Sequence, residues 1–286
     1  MYNSLTIAVL ITSHNRREKT LECLRNLFSS EKIEEFNFDV FLVDDGSVDG
    51  TSEAIREQYP KVNIIKGNGE LYWNQGMRLA WKTAMNHENY DFYMWLNDDT
   101  MIDQDALEHI FSCYNESLLL TEKPNIIVGA CRNNVTSNDF SYGVRDDNGP
   151  IIPNGEFQTG KYINGNCVLI SKDIVKSVGI LSKFYTHAMG DYDYGLCVLR
   201  NEFNIVSTKK FVATCPNNID IPIWCNQSAN FIDRWRHFHS PLGLNIREYM
   251  FFVRKNFPNQ SFQYIIKAYA KCLMPSVYNK LSNYAK

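Results

Sequence analysis

Four strand-length apolar runs alternate with helix-patterned segments over the first 115 residues. This alternation limits the fold more than any other feature of the chain. The runs are "LTIAVLIT" (5–12), "FDVFLV" (38–43), "KVNIIKG" (61–67) and "DFYMWL" (91–96). Between and after them, segments 17–30, 51–59, 74–87 and 103–115 read as helices; Leu21, Leu24, Leu27 and Phe28 recur at helical spacing in the first. Thr51 or Ser52 is placed to cap the second. Strands apolar on both faces cannot leave one face in water. They predict a mostly parallel central sheet flanked by helices, a Rossmann-like α/β architecture.

Beyond residue 120 the periodicity weakens. Residues 126–130 and 167–171 read as strands, separated by a Gly-, Asn- and Asp-rich stretch of hairpins and loops. Residues 189–203 read as a loop entering a helix with Leu196, Leu199 and Phe203 inward. Residues 204–215 give one or two strands, and 214–230 a loop. Helices are expected over 228–240, 243–256 and 261–282. The expected organisation is a domain over 1–240, with a nucleotide-binding half over about 1–100 and an acceptor half over about 101–240. A basic, amphipathic helical extension follows over 241–286.

Charge separates these parts. Residues 241–286 carry seven Lys or Arg and one acid, a net +6, which leaves residues 1–240 at −9 against the chain's −3. An anionic partner is therefore expected for the extension alone, and nucleic acid is not an expected partner. Phe262, Ile265, Ile266 and Tyr269 near Lys267 and Lys271 suit a helix lying on an anionic bilayer. They equally suit a helix packed on the domain or on a second subunit. The eight cysteines form no CxxC pair and read as small core residues in a reducing compartment. The first 15 residues lack a basic leader, and no apolar run of about 18 residues occurs. The expected location is the cytoplasm, with the inner face of the cell membrane open to the extension.

Ligands of such sheets bind at the carboxyl ends of strands. Four polar clusters fall there: Ser13-His14-Asn15-Arg16, Asp44-Asp45-Gly46-Ser47, Asn97-Asp98-Asp99, and "GNGELYWNQGM" (67–77). Adjacent carboxylates repel unless a cation or backbone N–H groups compensate them. With oxygen ligands only, the cation expected at Asp98-Asp99 is Mg²⁺ or Mn²⁺, and a nucleoside diphosphate would complete its shell. The alternative is a turn or helix cap. At Asp44-Asp45 a carboxylate could accept the ring N–H of uracil or thymine; an Asx-turn is the alternative. Neither GxGxxG nor GxxxxGK[ST] is present, which argues against dinucleotide and P-loop sites.

The ordered set "VLITSHNRREKTLECLRNLFSS … VFLVDDGSVDGT … NGELYWNQGMRLAW … WLNDDT … MGDYDYGLCVLRN" resembles family 2 glycosyltransferases of the GT-A fold. It is most similar to the bacterial branch that includes rhamnosyltransferases and surface-polysaccharide enzymes. The resemblance covers roughly residues 5–255. It implies that Ser13, His14, Asn15 and Arg16 lie along the nucleotide, and that Asp45 with Asp44 binds the base. Asn68, Trp73, Asn74 and Gly76 would line the donor pocket. Asp99 would be the metal ligand of a D-x-D motif, beside Asn97 and Asp98. Asp191 would be the catalytic base of an inverting displacement, and Asp193 matches the next acid. His187 and Trp224 join Asp193 as acceptor-side candidates, and His187, His237 and His239 are candidates to complete a metal site. Three positions depart from the pattern: Asn97, Gly190 and Cys197 stand where Asp, an acid and Arg are usual. The implied donor is a UDP- or dTDP-linked sugar and the acceptor a glycan or lipid-linked oligosaccharide. Two rival readings remain: a sugar-nucleotide-binding scaffold with a degenerate site, and a sugar-phosphate nucleotidyltransferase.

Overall fold

A computed structural model describes residues 5–31, 36–217 and 221–284, with side chains as far as 279. Lys280 and Lys286 of the basic extension thus lie outside the described side chains. The first half alternates as expected: β1 (Thr6–Ser13), α1 (Arg17–Phe28), β2 (Asn37–Asp44), α2 (Thr51–Gln58), β3 (Asn63–Lys66), α3 (Tyr72–His87) and β4 (Phe92–Leu96). There follow β5 (Met101–Ile102), α4 (Ala106–Thr121) and β6 (Ile126–Arg132). An excursion then carries short strands β7 (Phe140–Tyr142), β8 (Val144–Asp146), β9 (Gly149–Pro150), β10 (Gln158–Thr159) and β11 (Tyr162–Ile163). The chain returns through β12 (Cys167–Ser171), α5 (Lys172–Val178), α6 (Gly190–Arg200) and β13 (Ile205–Thr214). Four helices close it: α7 (Phe231–His239), α8 (Ile246–Asn256), α9 (Ser261–Leu273) and α10 (Pro275–Tyr284).

The main sheet runs β10-β13-β6-β12-β4-β1-β2-β3. β1 lies parallel to both β2 and β4, with Ser13 opposite Asp44 and Leu10 opposite Trp95. β12 runs antiparallel between β4 and β6, with Cys167 opposite Leu96. The core forms in two layers, because successive strand residues face opposite sides. Ile7, Val9 and Ile11 of β1 join α1, α2 and α4 on one face; Ala8 and Leu10 join Met77 and Trp81 of α3 and Tyr194 of α6 on the other.

Three expectations at element ends need correction. The fourth helix starts at Ala106, not 103, because Met101 and Ile102 are drawn into pairing with β13. The helix at 51 is entered through Gly50 in the left-handed region (φ 81°); Asp49 Oδ1 accepts from Thr51 N (3.1 Å) and Thr51 Oγ1 (2.5 Å), so Asp49 and not Thr51 or Ser52 supplies the acceptor. The helix expected over 261–282 breaks at Met274 (φ −134°, ψ 59°). Pro275 follows; it lacks an N–H and excludes its predecessor from helical geometry. The helices of the extension expected from 241 do not stand apart from the residues before them. Phe238 and Trp224 share a cluster with Leu244, Ile246, Ala268 and Cys272, so one face of α9 is packed on the protein. The other face exposes Phe262 and Ile266 (76% and 50%). Among the described residues, no helix is long and apolar enough to cross a membrane.

Candidate active site

The acidic pair at the end of β4 is compensated from within the chain. Arg16 Nη1 donates to Asp98 Oδ1 at 3.0 Å and to Asp99 Oδ2 at 2.7 Å. The sequence assigned Arg16 to the nucleotide and a metal to the carboxylates; here Arg16 is the cation that both share. Asp98 is 5% exposed, and burial lifts its carboxyl to about 6 against the pull of Arg16, with Asp99 adding to the rise. Its Oδ2 is buried and has no hydrogen-bond partner among the described residues. Asp99 is more open, at 25% side-chain exposure, and its Oδ1 has Cys215 Sγ at 3.7 Å. An orphaned carboxylate oxygen beside an accessible carboxylate is a donor set that fits a hard divalent ion.

At the end of β2 the second acidic pair turns inward. Asp44 Oδ1 accepts from Ser47 N (2.9 Å), an Asx-type turn, and Oδ2 from Ser52 Oγ. Asp45 accepts three backbone N–H groups: Gly69 at 2.8 Å, and Leu71 and Tyr72 at 2.9 Å each. Both residues are nearly fully buried. They clamp the 44–52 and 67–72 loops. Gly46 (φ 74°) permits the clamp, since its α-carbon lies so close to Gly69 that a Cβ would sit 3.0 Å from that backbone. Asn68 stays exposed and caps Glu70 N.

The β1 cluster splits by exposure. Ser13 is buried, its hydroxyl 2.8 Å from Thr20 Oγ1, so it does not lie along an open groove as expected. His14 and Asn15 are exposed. His14 Nδ1 donates to Asp45 O at 2.6 Å, which fixes the tautomer and leaves Nε2 to accept from Asn15 Nδ2 at 3.0 Å. Asn15 Oδ1 in turn accepts Val48 N at 2.8 Å.

Trp73 joins the acidic edge to Gly165 and, through it, to α6. Its Nε1 donates to Asn97 Oδ1 at 2.7 Å, while Asn97 N donates to Asn166 O at 2.9 Å. The Trp73 ring lies on Gly165, where any Cβ would overlap it. Gly165 N then donates to Asp191 Oδ2 (3.2 Å), and Tyr192 N to Asp191 Oδ1 (2.8 Å). Asp191 thus stands in the first turn of α6, one ring and one glycine away from Asn97. Burial raises its carboxyl to about 6 in spite of these two N–H groups. His187 is partly buried; its Nδ1 accepts Trp73 N at 3.4 Å, and burial, then the charge of Arg16, lowers its pKa. His239 Nδ1 instead bonds Trp235 O within α7. Asn15, Tyr72 and Met189, all flanking these residues, hold left-handed φ of 50°, 54° and 70°.

Four expected site residues are occupied elsewhere. Asn74 is fully buried; its Nδ2 donates to Ser182 O (2.9 Å) and Tyr185 O (2.6 Å), so it braces the 182–186 turn. Gly76 is buried against Thr12, where a Cβ would overlap Oγ1. Asp193 is buried and paired with Lys255 Nζ (2.7 Å) and Asn256 Nδ2 (2.9 Å), not turned to an acceptor. Trp224 packs beside Phe238, with ring centroids 6.0 Å apart. The departures at 97, 190 and 197 acquire physical accounts. Asn97 is the acceptor for Trp73. A side chain at Gly190 would overlap Asn74 Oδ1. Cys197 Sγ lies 3.0 Å from Arg200 Nη2 and 3.4 Å from Lys255 Nζ, cations drawn from other positions. Gly165 and Asn166 were missed in the sequence; only their place ahead of a buried strand pointed to them.

The sequence profile of glycosyl transferase family 2 matches residues 8–179, more than half the chain. The chain is 31% identical over 100 residues to poly-beta-1,6-N-acetyl-D-glucosamine synthase of Staphylococcus epidermidis, which covers 35% of this chain and 23% of that protein. It therefore spans about a quarter of that relative's length. The fold is similar to mannosyltransferase PcManGT from Pyrobaculum calidifontis, solved with GDP-Man and Mn²⁺ (TM-score 0.58, 14% identity, 98% of this chain and 75% of that one). It is similar also to S. aureus TarS 1-349 with UDP-GlcNAc (TM-score 0.58, 12% identity, 94% and 82%). These likenesses carry the GT-A fold. With the family profile spanning the acidic edge and the strands that hold it, the chain belongs to glycosyl transferase family 2.

Proposed function

We propose that the protein is an inverting glycosyltransferase that moves a sugar from a nucleoside-diphosphate sugar to a hydroxyl of a glycan or lipid-linked acceptor in surface-polysaccharide synthesis. The observation that carries this reading is Asp191. It is a partly buried carboxylate with its pKa near 6, oriented by two backbone N–H groups and linked through Gly165 and Trp73 to Asn97-Asp98-Asp99. A carboxylate of raised pKa is a better proton acceptor than an ordinary one and is still ionised at neutral pH. The acceptor oxygen bonds the anomeric carbon, the bond from that carbon to the diphosphate oxygen breaks, and the hydroxyl proton passes to Asp191. Attack opposite the leaving group inverts the centre. Asp99 and the orphaned oxygen of Asp98 would hold Mg²⁺ or Mn²⁺, which when bound supplies positive charge to the leaving diphosphate.

His14, Asn15 and the exposed Asn68 border the groove proposed for the nucleotide, with the Asp45-clamped loop as its wall. The exposed apolar side chains Phe262, Ile266, Leu273 and Met274 near Lys267 and Lys271 support contact of α9 with an anionic bilayer, which would bring a lipid-linked acceptor within reach. The test is Asp191→Asn with UDP-, dTDP- and GDP-sugars, with and without Mn²⁺. Transfer should fall at least about a hundredfold with donor affinity intact. Wild-type transfer by the variant would remove Asp191 from the role. Binding without turnover by the wild-type protein on any donor and acceptor would favour the scaffold reading.

A further inference from the structure

Outside the acidic edge, an open cleft of about 520 Å³ is lined by Phe184, Arg247, Met250, Phe251, Arg254 and Lys255. Arg247, Phe251 and Arg254 fall at positions i, i+4 and i+7 of α8, one face of one helix. Phe184 and Phe251 stack with ring centroids 3.8 Å apart and planes 22° apart, yet remain 45% and 36% exposed. Tyr185, fully buried, meets Phe251 edge-on and fixes the stack from below. The two arginines have no hydrogen-bond or ion-pair partner among the described residues. Lys255 is already paired with Asp193. The one acid of α8, Glu248, is buried and turned away, accepting from Thr186 N (3.0 Å) and Thr186 Oγ1 (2.6 Å). The cleft therefore presents two uncompensated guanidinium groups beside an aromatic shelf, on a protein whose body is acidic.

We propose that this cleft binds a phosphate-bearing saccharide, as the acceptor-side subsite of the transferase reading on which it rests. A guanidinium forks onto phosphate oxygens with two parallel N–H bonds. An exposed aromatic pair buries the apolar face of a sugar ring. The two features are rigidly joined, since both arise from α8 and the segment packed on it. That segment also leads to the transfer site: Thr186 O accepts Asn74 N (3.1 Å), His187 touches Trp73, and Met189 enters the helix of Asp191. A membrane surface fits less well, because Phe184 and Phe251 cover each other by stacking, whereas Phe262 of α9 stands 76% exposed.

The test is calorimetric titration with glucose 1-phosphate, methyl glucoside, inorganic phosphate and phosphatidylglycerol vesicles, in saturating UDP and Mn²⁺ so that the donor edge is filled. Glucose 1-phosphate should bind at least about tenfold tighter than methyl glucoside or inorganic phosphate. Arg247→Gln with Arg254→Gln should weaken it at least about tenfold and leave UDP affinity unchanged, because both side chains stand apart from the acidic edge. Phe251→Leu, which keeps the fold and the charges, should weaken glucose 1-phosphate but not inorganic phosphate. Equal affinity for phosphate and sugar phosphate, or unchanged binding in the double variant, would overturn the proposal, as would binding of vesicles alone. Loss of UDP binding with sugar-phosphate binding intact would instead sink the transferase reading and leave the cleft standing.

Discussion

Arg16 Nη1 sits 2.7 Å from Asp99 Oδ2 and 3.0 Å from Asp98 Oδ1, the carboxylates best suited to a divalent ion. The guanidinium must yield before an ion can take both. Arg16→Gln should therefore raise Mn²⁺ affinity in the absence of nucleotide by about tenfold, the order expected from removing one nearby charge at a half-exposed site. Electron paramagnetic resonance titration of free Mn²⁺ measures it directly. An unchanged affinity would mean that Arg16 does not compete for the site.

Asp191 sets a pH dependence of definite sign. The base must be ionised, so transfer should fall as pH drops through about 6. Folded-state protonation near 6 lies above the ordinary carboxyl range, so the folded chain binds more protons than the unfolded one between about 4 and 6. The stability this contributes is present below that window and lost as pH rises through it. Asp191→Asn should accordingly stabilise the protein by about 2 kcal/mol at pH 7.5 and hardly at all at pH 4. Denaturant melts at the two pH values, alongside a wild-type pH–rate profile, give both halves.

Asn74 distinguishes bracing from donor contact. Its amide serves the carbonyls of Ser182 and Tyr185; Tyr185 O keeps Gln75 Nε2, so Asn74→Ala leaves Ser182 O unpaired and should cost about 1–3 kcal/mol in stability. The donor KM should stay within about twofold at a temperature where the variant is folded. A large rise in donor KM with unchanged melting would restore the pocket-lining role.

Gly165→Ala puts a methyl group into the Trp73 ring. Overpacking of this kind costs about 1–3 kcal/mol. The displaced ring should also loosen its bond to Asn97, so transfer should fall about tenfold or more. Trp73→Phe, which keeps the ring plane but loses the N–H, should lower transfer with a smaller change in melting. Comparing the two by differential scanning fluorimetry and initial rates separates crowding from the lost hydrogen bond.

The sheet and its ligand edge were legible because strand identity depends on local apolar runs; β1 and β4 are buried along almost their whole length and β2 over its C-terminal part. The four loop clusters converge for the same reason: parallel strands end on one side. What the sequence hid was side-chain direction. Asn74 and Asp45 look like site residues in a polar string, but one faces the 182–186 turn and the other the amides of 69–72. Asp193 pairs with a lysine 62 positions away, a distance no periodicity spans. The break before Pro275 was readable and was overlooked, because the apolar pattern continues across it.

β12 enters the main sheet against the direction of its neighbours, so its first residues arrive on the side where the parallel strands finish. The chain can therefore travel from β6 through residues 133–165, at any length, and still deliver Gly165 and Asn166 to Trp73 and Asp191. That excursion forms its own small sheet from β8, β9 and β11. Relatives could lengthen, shorten or replace it while the register of Cys167 on Leu96 keeps the acidic edge of β4 as it is.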